Sequence, residues 1–290
     1  GLAVGSLWRG GGEWAAARGE AFDFWGVLLY GAALVLLMFG CSRLHQQTGL
    51  GLMALGVLGL AGFIVWETRT RSPVLEVSLF RANPVFAFSS LAALIHYAAT
   101  FAVTFILSLY LQNTKGLSPQ QSGLVLIAQP AMMALFSSWA GQLSDRVEPR
   151  FLSSLGMCVT TLGVFLFSFL RAGTPTGLIV ANLLMLGIGF AFFSSPNANA
   201  VMSSLAKRHL GVGSGSLGTM RLLGQNLSMG VVMMILALHL GSRAVGPETQ
   251  AEFLRSVQGS FRLFAALGVL GVLASLVRGR VRPQEGAPVK

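Results

Sequence analysis

Two ionisable side chains lie deep inside long apolar stretches of the sequence. His96 is about 12 residues into a run that begins at residue 84, and Arg221 is about 10 residues into one that begins at residue 211. At ~1.5 Å per residue of helix, these depths are ~18 Å and ~15 Å, near the middle of a ~30 Å hydrocarbon core. An arginine there costs at least ~2.5 kcal/mol, so Arg221 should face a bundle interior or a wet cavity.

Arg221 is predicted to be either a functional residue of a polar pathway or a structural hydrogen-bonding hub, and the sequence favours neither. For His96, a neutral side chain that is packed or singly hydrogen-bonded is favoured over a titrating one. Arg221 shares a helix face with Ser214, Gly218, Gln225 and Ser228, which recur at spacings of four and three. Close packing through small residues and a pathway wall both fit this stripe.

Other polar residues in the apolar runs adjoin aromatic rings or prolines. Tyr97 follows His96, Gln129 precedes Pro130, and Asn197 follows Pro196. Proline frees a backbone carbonyl inside a helix, so both prolines predict local bends. The candidate residues for a pathway through the membrane are His96, Tyr97, Gln129, Asn197, Arg221 and Gln225.

The acidic residues argue against catalysis. All ten Asp and Glu residues lie in polar breaks or at the ends of apolar runs. A membrane-embedded hydrolase or pump needs a carboxylate, a metal cluster or a nucleophile with its base at depth. The two cysteines have no metal-binding or disulfide spacing. We therefore predict no enzyme activity, no metal and no cofactor.

The composition indicates a polytopic membrane protein. Of 290 residues, 53% are hydrophobic and 10% are charged, against roughly 25% charged in soluble domains. Because backbone groups in lipid must pair internally, the long apolar runs should be helices. The predicted fold is all-α with about eight transmembrane helices, at residues 24–40, 49–66, 84–111, 120–140, 151–170, 176–199, 211–240 and 260–277.

The basic residues predict the orientation. Thirteen Lys and Arg residues lie in the terminal segments and alternate breaks, and five lie in the other breaks. The richer side should be cytoplasmic, which places both ends of this chain there, in a bacterial-type inner (plasma) membrane. These residues are scattered singly and form no stripe, so the net charge of +10 does not indicate a nucleic-acid partner.

A charged, proline-containing break divides the chain. We predict a cytoplasmic segment at 1–23, two linker helices at 24–66, a connector at 67–83, a six-helix domain at 84–278 and a cytoplasmic tail at 279–290. Six helices after a linker are typical of the three-plus-three repeats of transporters. One further break, "GQLSDRVEPR" at 141–150, gathers four charged residues between two apolar runs.

An ordered set of motifs resembles the fourteen-span drug:proton antiporter branch of the major facilitator superfamily. The set runs from "FDFWGVLLYGAALVLLMFG" through "FIVWETRTRSPVLEVSLFRANPVF", "YLQNTKGLSPQQSGLVLIAQP", "GIGFAFFSSPN" and "GSGSLGTMRLLGQNLSMG", and so covers nearly the whole chain. The resemblance implies that the first two helices are spans seven and eight and that the rest form the C-terminal six-helix domain. An N-terminal six-helix half, carrying most of the proton-coupling residues, is expected to precede them.

Within this resemblance, "GQLSDRVEPR" is similar to the second copy of the superfamily's loop motif, GxLxDRxGRR. Gly141 would allow close helix approach or a tight exit from the preceding helix, and Asp145 is expected near the start of the following helix. Arg146 and Arg150 would hold the cytoplasmic face through breakable ion pairs, so these four residues form a predicted gating loop. Glu148 and Pro149 depart from the motif, and a plain topology-setting loop is the alternative.

The resemblance implies a secondary transporter that exports hydrophobic or cationic drugs by proton antiport and alternating access. Its partners would be a small-molecule substrate, protons, the lipid bilayer and the missing half. One alternative is an exporter of one specific metabolite in the same superfamily. Another is a membrane assembly subunit that transports nothing.

Overall fold

The computed structural model of the protein describes residues 23–43, 47–70, 77–241, 243 and 245–279. The predicted cytoplasmic segment before residue 23, the middle of the connector and most of the tail lie outside these residues. The helices in the described part are α1 (Phe24–Ser42), α2 (Gln47–Glu67), α3 (Val77–Ala82), α4 (Pro84–Thr100), α5 (Val103–Asn113), α6 (Pro119–Leu126), α7 (Ala128–Ser144), α8 (Pro149–Phe167), α9 (Thr176–Ser203), α10 (Leu210–Leu240) and α11 (Gln250–Val277).

The all-α prediction is confirmed. Among the described residues, seven helical segments are long and apolar enough to cross a membrane, and α1 adds a shorter apolar helix. Every Asp and Glu of the described part lies at a helix end or in a connection. The division into linker helices and a six-helix domain remains a prediction.

Two of the predicted helices are each split into two. The run that begins at Pro84 breaks at Phe101–Ala102, where the Ala102 N–H donates to Ser228 Oγ of α10 at 3.0 Å. Ser228, from the predicted small polar stripe, therefore satisfies a backbone donor that the break releases. The run that begins at Pro119 breaks at Ile127, just before Pro130, whereas α9 stays helical through Pro196.

The last helix begins ten residues earlier than predicted, at Gln250 instead of residue 260. Its first turns contain Glu252 and Arg255, which mask the apolar pattern in a simple hydropathy reading. Phe253, Val257 and Phe261 recur on one face of these turns and are buried in the core. One apolar stripe is enough to hold a helix against a bundle even when its other face is charged.

Proline and polar caps set the starts of the helices. Asn83 accepts a hydrogen bond from the Phe86 N–H, and Pro84 occupies the first helical position. Ser118 and Gln121 form a reciprocal capping box at the start of α6. The Asn83 amide also donates to the Ser204 carbonyl at 2.7 Å, which ties the start of α4 to the end of α9.

α8 and α9 make one of the closest helix contacts. A Cβ on Gly156 would lie 2.4 Å from Phe193 N and 2.6 Å from Gly189 O, which are backbone atoms of α9. Because backbone cannot rotate aside, only glycine fits at this crossing. The contact fixes the register of α9, the helix that carries Phe193 and Asn197.

The G156A variant is expected to destabilise the protein by roughly 1–3 kcal/mol, since α8 and α9 must move apart to admit the methyl group. Thermal unfolding in detergent measures this loss. G259A is the matched control because a Cβ on Gly259 meets no heavy atom within 4 Å. That variant should be neutral or up to about 1 kcal/mol more stable, and equal stability of the two variants would contradict the tight crossing.

The first two helices form a hairpin that contacts the remaining bundle. Gly40 and Gly56 allow close approach of α1 and α2, and the Tyr30 hydroxyl of α1 lies 2.8 Å from Thr219 Oγ1 of α10. α10 is therefore held by α1 on one side and by α4 on another, where Gly224 approaches the Leu94 carbonyl.

Candidate functional site

A pocket of about 280 Å³ lies between α4, α9 and α10. It brings together three of the six predicted pathway residues, Tyr97, Asn197 and Arg221, one from each helix. The other lining residues are small or apolar: Ala93, Phe193, Ser194, Ala198, Met202, Ser214, Leu217 and Gly218. Met202 is next to the C-terminal end of α9, and Tyr97 is about 13 residues into α4. The pocket therefore runs from the end of the bundle that carries the loop 145–148 toward the middle of the bundle.

Arg221 is the one charged residue among those that line the pocket. It is exposed and has no hydrogen bond or ion pair with another residue of the described part. None of the described lining residues is a carboxylate, so this part of the wall carries a net positive charge. Among the described residues, Arg221 therefore does not act as a structural hydrogen-bonding hub. Its guanidinium remains available for a ligand.

His96 lies behind the pocket wall. Its ring stacks on Phe193 with centroids 3.9 Å apart, and it meets Phe190 edge-on at 4.6 Å and Tyr97 at 5.8 Å. The side chain is buried, and Nε2 has no hydrogen-bond partner among the described residues. These contacts agree with the packed interpretation, in which His96 supports the rings of Phe193 and Tyr97.

The two glutamines do not line the pocket. Gln129 is half-buried beside the break between α6 and α7, and its backbone carbonyl faces Gly187 of α9. Its Oε1 is buried without a partner in the described part. Gln225 is half-buried on α10, one turn beyond Arg221. Their place in a pathway stays a prediction.

A polar cluster that the sequence analysis missed surrounds Arg278, directly after α11. Arg278 is 0% exposed. Its guanidinium donates to Ser89 Oγ of α4 at 3.2 Å, to Asn197 Oδ1 of α9 at 3.0 Å and to Ser153 Oγ of α8 at 2.6 Å. The Asn197 amide in turn donates to the Ser89 carbonyl at 3.1 Å. We call Arg278, Ser89, Ser153 and Asn197 the arginine cluster.

The arginine cluster ties four helices together at the loop 145–148 end and sets the orientation of a pocket residue. Burial lowers the pKa of Arg278 to about 10, with the Glu148 carboxylate raising it and Arg150 lowering it further. At neutral pH the guanidinium therefore stays protonated. Asn197 lines the pocket and accepts a hydrogen bond from Arg278. A displacement of either side chain therefore alters the hydrogen bond that positions the other.

The predicted gating loop has a different geometry from the one expected. Asp145 caps the C-terminal end of α7, and α8 begins only at Pro149, so Asp145 is not at a helix start. Its carboxylate accepts from Asn199 Nδ2 at 3.1 Å, and the same amide reaches Ser144 Oγ at 2.8 Å. Hydrogen bonds of Asn199 thus attach the loop to α9. The Asp145 carboxylate does not lie at the positive end of a helix.

Gly141 approaches α9 closely, as predicted, because a Cβ there would lie 3.0 Å from Ser195 Oγ. Arg150, the second residue of α8, pairs with Glu148 at 4.0 Å, and both side chains are largely buried. Arg146 is exposed and pairs with no acidic residue of the described part. The Arg150–Glu148 pair joins two neighbours at the start of α8, so among the described residues the two arginines do not clamp this end of the bundle to another helix.

The sequence profile of the Major Facilitator Superfamily matches residues 24–229 and, in a second overlapping match, residues 89–290. The chain belongs to this superfamily. The family is one of transporters, in agreement with the prediction of a transporter rather than an enzyme.

The chain matches slightly less than half the length of several curated relatives. The chain is 31% identical over 219 residues to the uncharacterized transporter YebQ of Escherichia coli, covering 74% of this chain and 48% of the relative. It is 27% identical to the riboflavin transporter RibZ of Clostridioides difficile, covering 70% and 44%. It is also 27% identical to the tetracenomycin C resistance and export protein of Streptomyces glaucescens, covering 80% and 44%. The chain spans about half the length of these relatives.

Solved structures agree on the fold. A bacterial homologue of the human lysosomal transporter Spinster, in an inward-facing and occupied conformation, matches with a TM-score of 0.58 at 17% identity. The match covers 91% of this chain and 69% of that structure. At this identity the likeness shows the fold alone.

Proposed function

We propose that this chain forms one wall of the pathway of a secondary transporter that exports hydrophobic compounds by proton-coupled alternating access. The observation that carries the proposal is the pocket between α4, α9 and α10. Tyr97, Arg221, Ser194 and Ser214 supply polar groups there beside apolar side chains such as Leu217 and Met202, while the Asn197 amide is bonded to Ser89 and Arg278. Polar groups placed beside apolar surface fix the orientation of a bound small molecule.

A second six-helix unit would complete the cavity and supply acidic coupling residues. Two findings support this part of the proposal. The chain covers only 44% of RibZ and 48% of YebQ, and no described Asp or Glu lies within the interior of a spanning helix. A proton relay normally uses an acidic residue at depth. We therefore assign proton coupling to the second six-helix unit, as expected for the fourteen-span branch.

Transport of ethidium and of a neutral dye into inside-out vesicles containing the full gene product tests proton coupling. Accumulation should depend on the imposed pH gradient and should fall to background when nigericin collapses it. Vesicles that carry an unrelated membrane protein provide the control. Accumulation that persists without the gradient would contradict proton antiport.

Export of one aromatic metabolite is a second candidate. Arg221 and the absence of a lining carboxylate favour substrates with negative charge or hydrogen-bond acceptors. The half-buried ring of Tyr97 lines the pocket and offers apolar surface to a planar group. A cationic drug would need carboxylates from the second wall, so a competition panel of anionic, neutral and cationic compounds separates these substrate classes.

A further inference from the structure

α8 and α11 form a groove that shares no residue with the pocket. Its volume is about 570 Å³, within the ~300–1,000 Å³ typical of ligand sites. Its apolar walls include Leu162 and Phe165 of α8 and Val269 and Leu273 of α11. Arg262 lies at the end of the groove farther from loop 145–148, and it is the one charged residue of the lining.

The groove lies on the outward face of α8. Gly156, Thr160 and Gly163 form the opposite face of that helix and pack on α9. By contrast, Leu162 is 51% exposed and Val269 is 52% exposed. Apolar surface of this extent on a membrane-spanning helix faces the acyl chains of the bilayer.

Arg262 makes this face unlike an ordinary lipid-facing surface. It is exposed and has no hydrogen bond or ion pair with the described residues. Val277 lies about 15 residues later, which is ~23 Å along the helix. In a ~30 Å hydrocarbon core whose one edge is near Val277, the Arg262 backbone is therefore ~7 Å inside the other edge. A long arginine side chain at that depth extends toward the headgroups.

We propose that this groove binds one anionic phospholipid, with an acyl chain along the apolar walls and the phosphate on Arg262. The lipid belongs to the leaflet opposite loop 145–148. Arginine presents a fork of donors that matches phosphate geometry, and an anionic headgroup supplies the missing counter-charge. Arg255, seven residues earlier on the same helix face, adds positive charge at the headgroup side.

A second copy of the chain fits this groove less well than a lipid. To neutralise Arg262, it would have to place a carboxylate at the same depth. Each described Asp and Glu lies at a helix end or in a connection, outside the span interior. A headgroup phosphate supplies the charge complement of Arg262 without a carboxylate at this depth, whatever the transported substrate is.

Native mass spectrometry of the full-length protein from nanodiscs tests the site, with phosphatidylglycerol and phosphatidylcholine in equal amounts. The wild-type protein should retain one phosphatidylglycerol with about five-fold preference over phosphatidylcholine. R262A should lose this preference and R262K should keep most of it. R243A, an exposed arginine outside the groove lining, should behave as wild type.

A second variant tests whether the lipid occupies the groove. A266W fills the groove from α11 and should reduce retention of both lipids while Arg262 remains. Inorganic phosphate at millimolar concentration should not displace the lipid, because the acyl chain contributes to binding. Equal phosphatidylglycerol preference in R262A would overturn the proposal, and so would displacement by inorganic phosphate or a protein dimer that R262A dissociates.

Discussion

The R278A variant is expected to unfold with a free energy about 2–4 kcal/mol lower than the wild-type protein, because the arginine cluster loses its donor. Ser89 Oγ, Ser153 Oγ and Asn197 Oδ1 all accept from this one guanidinium, and all three residues are buried. Removing the side chain leaves acceptors unpaired and a cavity where four helices meet. The melting temperature in detergent should fall by roughly 5–10 °C.

Two companion variants separate the cluster from a general charge effect. R278K keeps the charge, but an ammonium group cannot span the three acceptors with the same geometry, so it should recover only part of the loss. R146A removes an exposed arginine from the same end of the bundle and should change stability by less than about 0.5 kcal/mol. Equal melting temperatures for R278A and R146A would show that the cluster does not stabilise the bundle.

The helical architecture was predictable because lipid imposes it. Continuous apolar runs leave the backbone no alternative to helix, and the all-α prediction is confirmed on that ground. The break at Ile127 lies just before Pro130, where the sequence predicts a bend. The break at Ala102 was not predictable, because no proline lies near it. The break at Ala102 depends on Ser228, which is 126 residues away in the sequence, and local pattern carries no information on such a contact.

The pocket was predictable in part, for a similar reason. The sequence selected Arg221 by its depth, Tyr97 as the neighbour of His96 and Asn197 as an amide beside Pro196, since polar groups in hydrocarbon must face one another or a cavity. It also selected Gln129, beside Pro130, and Gln225, on the Arg221 stripe, and neither of these lines the pocket.

Arg278 was missed because it resembles any basic residue after a membrane helix. The sequence held one signal for Arg278. Three polar side chains in apolar helices required a hydrogen-bond partner, namely Ser89, Ser153 and Asn197. Neither charge topology nor helical periodicity indicates that this partner follows α11.

The R221Q variant is expected to reduce export of an anionic aromatic compound by about 10- to 100-fold, because a charge-assisted hydrogen bond to the substrate is lost. Arg221 is exposed in the pocket and has no partner in the described part of the chain, so the substitution leaves no protein group unpaired. Stability should therefore stay unchanged, which distinguishes a substrate contact from a structural role. R221K should retain an intermediate activity, and L222A, at an exposed neighbour outside the pocket lining, serves as the control.

Parallel export assays of carboxyfluorescein, which is anionic, and ethidium, which is cationic, test most directly whether this wall contacts the transported molecule. In inside-out vesicles with equal amounts of protein, R221Q should lower carboxyfluorescein accumulation at least about 10-fold and should leave ethidium accumulation unchanged or increased. If R221Q changes neither accumulation, or lowers both equally with a parallel loss of thermal stability, Arg221 is not part of the substrate pathway.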